Sequence, residues 1–344
     1  MGLTPAQLTE VALSTTRETK HFVLPRTPTA SAGLPIKAPT EEDFTSTFGK
    51  LLPPADYVDT EWGRYAYYDM NAGNNSQPTS SENPDRVLLI HGVQTPAIGM
   101  LPLARELKSN FPQTHFVLLD LWGHGLSMTP VMAHQPSLFH YQIDHLLDHL
   151  GWQSAHLIGY SFGGALTVGY VASRPERVQS FVLVAPAGLL RLSSFTKEQQ
   201  ALLLPSCEDE IAAQKAVVGI LESGELIVPA DWRERVAKGE VVAQAVKEWQ
   251  MREHAGHTAS VVAIFRDEGV MDNDAVFRQV ADAGVQNTIV LGELDDLCSR
   301  EQLNRLGFHN ISVVPKAGHG VVRERESEVA HLITTFWRGL GASK

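Results

Sequence analysis

From Tyr57 onward, short continuous apolar runs alternate with amphipathic stretches. VLLIHG (87–92), FVLLDLWGHG (116–125), SAHLIGYSFGG (154–164) and FVLVAPAG (181–188) each carry an apolar run that reaches a glycine. A strand buried on both faces has no polar side to show, so these runs predict parallel strands inside a sheet. Between them the pattern predicts helices near 98–109, over 136–149 and from Ala165 onward. Ahead of them, YVDTEWGRYAYYDM (57–70) predicts two short strands with a turn near Gly63, followed by a polar, turn-rich loop over 71–86.

Strand–helix alternation stops near residue 187. Residues 187–285 read as helices with polar faces, and alternation returns with NTIVLGELDD (287–296), NISVVPKAGHG (310–320) and a last helix near 327–338. One parallel α/β sheet with a helical insertion between two of its strands accounts for this order. Such an insertion sits over the C-terminal strand ends, where α/β sheets bind ligands. The chain thus divides into an arm (1–55), a core (56–186 and 286–344) and a helical cap (187–285). In the arm, a short helix is expected between Pro5 and about Lys20. Pro25, Pro28, Pro35 and Pro39 then break the pattern, and Thr40-Glu41-Glu42-Asp43 opens a helix with acids in its first turn. Phe44, Phe48 and Leu51 share one face of that helix, so the arm is expected to pack on something.

Composition narrows the function classes. Of 344 residues, 43% are hydrophobic and 19% charged, enough apolar content for a large core. The net charge of −11 makes nucleic acid a poor partner, because its affinity comes mostly from neutralised phosphates. No run of about 18 apolar residues suggests a membrane span. Cys207 and Cys298 make neither a disulfide framework nor a zinc cluster. The N-terminal residues lack the basic and apolar regions of a secretory signal, so a cytoplasmic protein is the plain expectation.

The central chemical signal is Gly159-Tyr160-Ser161-Phe162-Gly163, between a strand (His156-Leu157-Ile158) and a helix (Ala165 onward). The pentapeptide alone is weak; its strand–turn–helix context is what makes it specific. A turn this sharp strains the serine backbone, exposes its Oγ above the sheet and aims helix N–H groups at it. The flanking glycines avoid collisions with neighbouring backbone.

With LLIHG (88–92), DLWGHGLS (120–127), GYSFGG (159–164), and GELD (292–295) paired with AGHG (317–320), the chain from about Tyr57 to its end resembles the α/β-hydrolase superfamily. It is most similar to the capped esterase, lactonase, peroxidase-like and carbon–carbon hydrolase branch. The resemblance implies a mostly parallel sheet flanked by helices, with a helical cap. It also implies a triad in the order Ser, acid, His, which Ser161, Asp295 and His319 fit. The acid stands three residues after the strand-closing Gly292; Asp296 is its neighbour. The implied oxyanion hole takes backbone N–H groups from Phe162, after the nucleophile, and from Val93, just after the HG of LLIHG, with Gln94 next to it.

Other residues have plainer readings. His91 is expected to be structural, and Asp120 and His124 to tie a tight turn. His140, Asp144, His145, Asp148 and His149 have the spacing of metal ligands but read as the solvated face of an amphipathic helix. His254 and His257 read as surface positions. Trp249, Met251, Phe265 and Met271 are lid lining or the lid's own core, and Cys298 is packing. No metal or cofactor is required. The expected activity is hydrolysis of a small hydrophobic ester, lactone or thioester through an acyl-enzyme. A carbon–carbon hydrolase, an acyltransferase or a non-catalytic ligand-binding protein is the alternative, and a homodimer is left open. The carbon–carbon reading is weakened because its members carry Asn before the nucleophile and Trp after the last histidine, where this chain has Tyr160 and Gly320.

Overall fold

A computed structural model describes residues 22–25, 33–71, 84–204, 206–222, 224–267 and 269–342. The helix expected between Pro5 and Lys20, and most of the 71–86 loop, lie outside the described residues. β1 (Gly33–Ile36) pairs with β6 (Thr129–Val131) in a small antiparallel ribbon. β2 (Asp56–Thr60) and β3 (Gly63–Asp69) form the hairpin around Gly63, and β3 pairs antiparallel with β5 (His115–Leu119). Every further neighbour is parallel. β5 adjoins β4 (Arg86–Ile90), then follow β7 (Ala155–Tyr160), β8 (Val178–Val184), β9 (Asn287–Gly292) and β10 (Ile311–Val314). The eight-stranded order is therefore β2-β3-β5-β4-β7-β8-β9-β10.

Successive residues of the strands feed two different hydrophobic layers. Leu88, Ile90, Val117, Leu119, Leu157, Phe181 and Leu183 pack with α3 (Pro136–His149) and α4 (Phe162–Ser173). Val87, Leu89, Phe116, Leu118, Ile158 and Val182 pack with α2 (Leu101–Asn110) and α13 (Glu326–Ala342). Each large apolar side chain buried this way contributes about 1.5–3 kcal/mol. The chain passes from β4 to β5 on one side and reaches β7 on the other, so a crevice opens between the C-terminal ends of β4 and β7.

Between β8 and β9 run α5 (Lys197–Leu203), α6 (Glu210–Glu222), α7 (Trp232–Ala237), α8 (Ala243–Glu253), α9 (His257–Arg266) and α10 (Asp274–Asp282). α10 packs on α4. The two ends of this stretch meet beside the turn after β7. Ala187 N donates to Ser161 O at 2.9 Å, and Gly188 N donates to Val270 O at 3.1 Å. α8 and α9 dock on the loop after β5 through buried polar groups. His254 Nε2 donates to Ser127 O (2.8 Å), His257 Nδ1 to Gly123 O (2.9 Å) and Ser260 Oγ to Trp122 O (3.3 Å).

His254 and His257 are accordingly buried, at 2% and 0% exposure, and the expected surface placement is corrected. They hydrogen-bond loop carbonyls that the docked helices would otherwise cut off from water. The solvated reading of the polar face of α3 is corrected for His140, which is buried, and for the half-buried Asp144 and His145; Asp148 and His149 are exposed as expected. His140 Nε2 meets Leu166 O, Asp144 binds Tyr170 and Arg174, His145 meets the Tyr65 hydroxyl, and Asp148 pairs with Arg177. That face joins α3 to its neighbours. Among the described residues no group of three or more His, Cys, Asp or Glu is arranged to hold a metal ion, and no helix is long and apolar enough to cross a membrane.

The arm packs on the inserted helices. α1 (Glu41–Phe48) starts with a reciprocal cap, in which Asp43 N donates to Thr40 Oγ1 (3.1 Å) and Thr40 N to Asp43 Oδ2 (3.0 Å). Its Phe44 and Phe48 stand edge-on to Trp249 of α8 at 5.3 and 5.9 Å, and Leu24 packs against Ala259 and Ala263 of α9.

Six buried histidines make the fold acid-sensitive. Burial pushes His91, His134, His140 and His254 down to about 4 and His257 to about 3. Burial, reinforced by His257, pushes His124 well below its ordinary value. Each takes a proton near pH 6.5 when unfolded but not when native, so its stability is intact above about pH 6.5 and lost as the pH falls toward 4. One group held at about 4 forfeits about 3 kcal/mol by pH 4. Asp120, which burial lifts to about 6, acts in the opposite direction but is one group against six. The urea midpoint should therefore fall steeply between about pH 6.5 and 5, with native circular dichroism lost before about pH 4. Equal midpoints at pH 7 and 4.5 would refute this.

Candidate active site

The strand-to-helix turn after β7 places Ser161 at φ 54° and ψ −118°, a region L-residues rarely adopt. Holding a non-glycine residue there costs about 1–3 kcal/mol, so the surroundings must over-determine it. They do so through the backbone. Ser161 N donates to Val184 O (3.1 Å), while Ser161 O accepts from Gly164 N and Ala187 N (both 2.9 Å). Three glycines allow the close packing around it. A Cβ on Gly159 would stand 2.3 Å from Gly163 O, one on Gly163 2.1 Å from Ile90 O, and one on Gly92 2.8 Å from Ser161 Cβ.

The parallel register of β9 and β10 delivers the other two groups. Leu291 lies beside Val313 and Gly292 beside Val314. The loops beyond then zip together, Glu293 N to Val314 O (3.0 Å) and Leu294 N to Ala317 O (2.8 Å). Gly292 permits that approach, since a Cβ there would meet Gly318 O at 2.4 Å. Asp295 and His319, 24 residues apart, thereby become neighbours. His319 Nδ1 lies 3.0 Å from Asp295 Oδ2, and His319 Nε2 lies 2.9 Å from Ser161 Oγ. A carboxylate can only accept, so the Nδ1–H tautomer donates to Asp295 and leaves Nε2 to accept the serine proton. The Asp295 side chain is fully buried and its Oδ1 accepts from Leu297 N (3.1 Å), whereas Asp296 is exposed.

Val93 follows Gly92, which packs against Ser161, and is half-buried; Phe162 opens α4, where first-turn N–H groups have no intrahelical acceptor. His91 and Asp120 hold the surrounding loops. His91 Nε2 accepts from Leu121 N (2.9 Å) and its Nδ1–H donates to Gly92 O (2.6 Å). Asp120 accepts from Ala97 N, Leu126 N and the Tyr68 hydroxyl at 2.8–2.9 Å. Burial, with Asp295 nearby, pushes the Cys298 thiol up to about 12, so it is no nucleophile at neutral pH.

Two residues support the site in ways that the sequence did not reveal. Tyr160 lies under the histidine loop, its hydroxyl donating to His319 O (3.2 Å) and its ring 5.3 Å from the imidazole; Arg323 in turn donates to that hydroxyl (3.4 Å). Gln250 of α8 is fully buried against the loop that carries Val93. It lies on α8, while the nearby buried polar residues His254, His257 and Ser260 follow at the break after α8 and on α9.

A family model described as "alpha/beta hydrolase fold" matches residues 85–215. The dihydrolipoyllysine-residue acetyltransferase component of the acetoin cleaving system of Pseudomonas putida is 40% identical over 73 residues, 21% of this chain and 20% of that protein. Lipase 1 of Psychrobacter immobilis is 34% identical over 131 residues, 36% of this chain and 40% of that protein. The match thus spans well under two thirds of either relative. Among solved structures, the enol-lactonase of Burkholderia xenovorans LB400 superposes with a TM-score of 0.59 at 16% identity, covering 82% of this chain and 99% of that one. With its sheet order and its strained serine turn at the switch point, the chain has the α/β-hydrolase fold.

Proposed function

We propose that the protein is a serine hydrolase of small hydrophobic esters, lactones or thioesters. The observation that carries this reading is the continuous hydrogen-bonded line Ser161 Oγ–His319–Asp295, with links of 2.9 and 3.0 Å. A serine hydroxyl is a poor nucleophile at neutral pH, and this line supplies both a base and the acid that orients it. His319 Nε2 takes the Ser161 proton as Oγ attacks the carbonyl carbon. The carbonyl oxygen becomes an oxyanion, received by the N–H groups of Val93 and Phe162. His319 then gives its proton to the leaving oxygen or sulfur, and an acyl-Ser161 ester remains. Water, deprotonated by His319, repeats the sequence and frees the acid. Asp295 holds the imidazole in its orientation and stabilises the imidazolium. None of these steps calls for a cofactor.

The hydrophobic substrate class is supported by the apolar residues around the nucleophile turn, Tyr160 and Phe162, and by inserted helices rooted beside Ser161. We assign residues 187–285 the role of a cap that selects substrate and excludes water, and we assign the protein to the cytoplasm. Tyr160 and Gly320 argue against carbon–carbon hydrolysis.

Intact-mass analysis after fluorophosphonate treatment, followed by a panel of esters, lactones and thioesters, tests the reading. One adduct should form and map to Ser161, and at least one panel member should turn over. An unlabelled Ser161 in folded protein would leave a binding protein on a hydrolase scaffold. Ser161→Ala should lower kcat by roughly 10³–10⁶ with little change in substrate binding. Near-normal turnover by that folded variant would exclude the serine mechanism.

The buried Asp295 and exposed Asp296 are expected to part company. Asp295→Asn should cost on the order of 10⁴ in kcat, because the amide leaves the imidazole tautomer wrong. Asp296→Asn should stay within about threefold of the parent, as surface substitutions away from a site generally do. Kinetics on both purified variants, with folding checked by circular dichroism, decides this; the reverse pattern would move the acid by one residue.

A further inference from the structure

Val93 sits on a loop that is pinned at both ends. His91 Nδ1–H donates to Gly92 O at one end, and Asp120 Oδ1 accepts from Ala97 N (2.8 Å) at the other. Between them Gln94 adopts φ 66°, a left-handed conformation that is unfavourable for a side chain of its kind. Gln94 does not secure itself: it is 2% exposed, and its Nε2 has no acceptor among the described residues. The bond that holds it comes from the inserted helices. Gln250 Nε2 donates to Gln94 O at 2.6 Å, and Gln250 Oε1 accepts from Gly125 N at 2.7 Å. One partner is a carbonyl and the other an N–H, so the orientation of the amide is unambiguous. Among the described residues no other hydrogen bond reaches Gln94 O.

A buried amide on a helix whose neighbours Val246 and Trp249 are apolar is costly unless both its ends are used, and here both are. The contrast with the neighbouring polar residues is informative. His254 and His257 bond carbonyls of the loop over 122–127, and Ser260 bonds Trp122 O and His134 Nδ1, whereas among these four Gln250 alone reaches the loop that carries Val93. Asp120 bridges the same two loops from the core, binding Ala97 N and Leu126 N. Gln250 closes that bridge from the other side.

We propose that Gln250 is a positioning residue for the oxyanion hole: by clamping Gln94 O it holds the left-handed turn that presents the Val93 N–H. This rests on the serine-hydrolase reading. It follows that the hole is complete only while α8 is docked, so the inserted helices take part in assembling the catalytic site as well as covering it.

The test uses the full-length protein and three variants. Gln250→Met keeps length and removes both hydrogen bonds. Gln250→Glu keeps the acceptor for Gly125 N and loses the donor to Gln94 O. Ser260→Ala loosens the docked helices without touching Gln94. The readouts are the second-order rate of Ser161 labelling by a fluorophosphonate, kcat and KM on an ester that the parent cleaves, and the melting temperature. A phosphoryl oxygen uses the same N–H pair as an oxyanion, so labelling and kcat should fall together by about 10–100-fold in both Gln250 variants. KM should stay within about twofold, since the lost interaction forms only in the transition state. Ser260→Ala should lose melting temperature while labelling within about threefold of the parent at temperatures where it is folded. Folded Gln250 variants that label at the parental rate would overturn the inference and leave the serine mechanism intact. So would a Ser260→Ala protein slowed as much as Gln250→Met, because the effect would then belong to docking in general. A parent that is not labelled at Ser161 at all would overturn the mechanism, and the inference with it.

Discussion

Everything at the site depends on a backbone that is held where it does not want to be. Ser161 occupies a left-handed conformation at a sharp turn between a fully buried strand and a buried helix face. Such strain persists only when the surroundings leave the chain no alternative. Here they include close approaches to main chain at Gly159 and Gly163 and to the Ser161 Cβ at Gly92, where an added Cβ would collide. The eight-stranded sheet is rigid enough to impose the turn because both its faces are sealed by apolar layers. The same logic recurs at Gly292, where a missing Cβ lets the histidine loop settle on the strand that leads to Asp295.

The inserted helices are attached on a different principle. Their contact with the core loops includes a set of buried polar side chains, each hydrogen-bonded to a loop carbonyl or N–H. A polar interface of this kind contributes less net stability than apolar packing, yet it is far more particular about register, since a shifted helix would leave several buried groups unpaired. The arm adds the apolar component, wedging Phe44 and Phe48 against Trp249 directly beside Gln250. Arm, inserted helices and the loop that carries Val93 are thereby physically contiguous. The buried neutral histidines in that contact are also the reason its integrity depends on pH.

Legibility in the sequence follows from how local each signal is. The strands over 87–90, 116–119 and 181–184 were visible because burial on both faces erases polar alternation. The start of α1 was visible because its cap is made by residues three apart, and α3 matched its expected limits of 136–149. Ser161, Asp295 and His319 could be named because they fit the order Ser, acid, His that the resemblance to α/β-hydrolases implies. The failures all concern polar residues with distant partners. His254 and His257 looked like surface histidines because their acceptors, Ser127 O and Gly123 O, lie more than a hundred residues away and are main-chain atoms invisible to composition. His140, Asp144 and His145 of α3 looked solvated for the same reason, their partners being Leu166 O, the Tyr65 and Tyr170 hydroxyls and Arg174. Gln250 gave no sign of its own, because its partners, Gln94 O and Gly125 N, are main-chain atoms more than a hundred residues away.

The central claim is that the strained turn aims Ser161 Oγ at a point from which His319 and two backbone N–H groups can all act on one carbonyl. The most direct measurement is a crystal structure of the protein phosphonylated at Ser161. The account predicts a phosphoryl oxygen about 2.7–3.1 Å from both Val93 N and Phe162 N, with His319 Nε2 still facing the Ser161 oxygen. A phosphoryl oxygen turned toward solvent or toward other donors, with those two N–H groups out of reach, would contradict it.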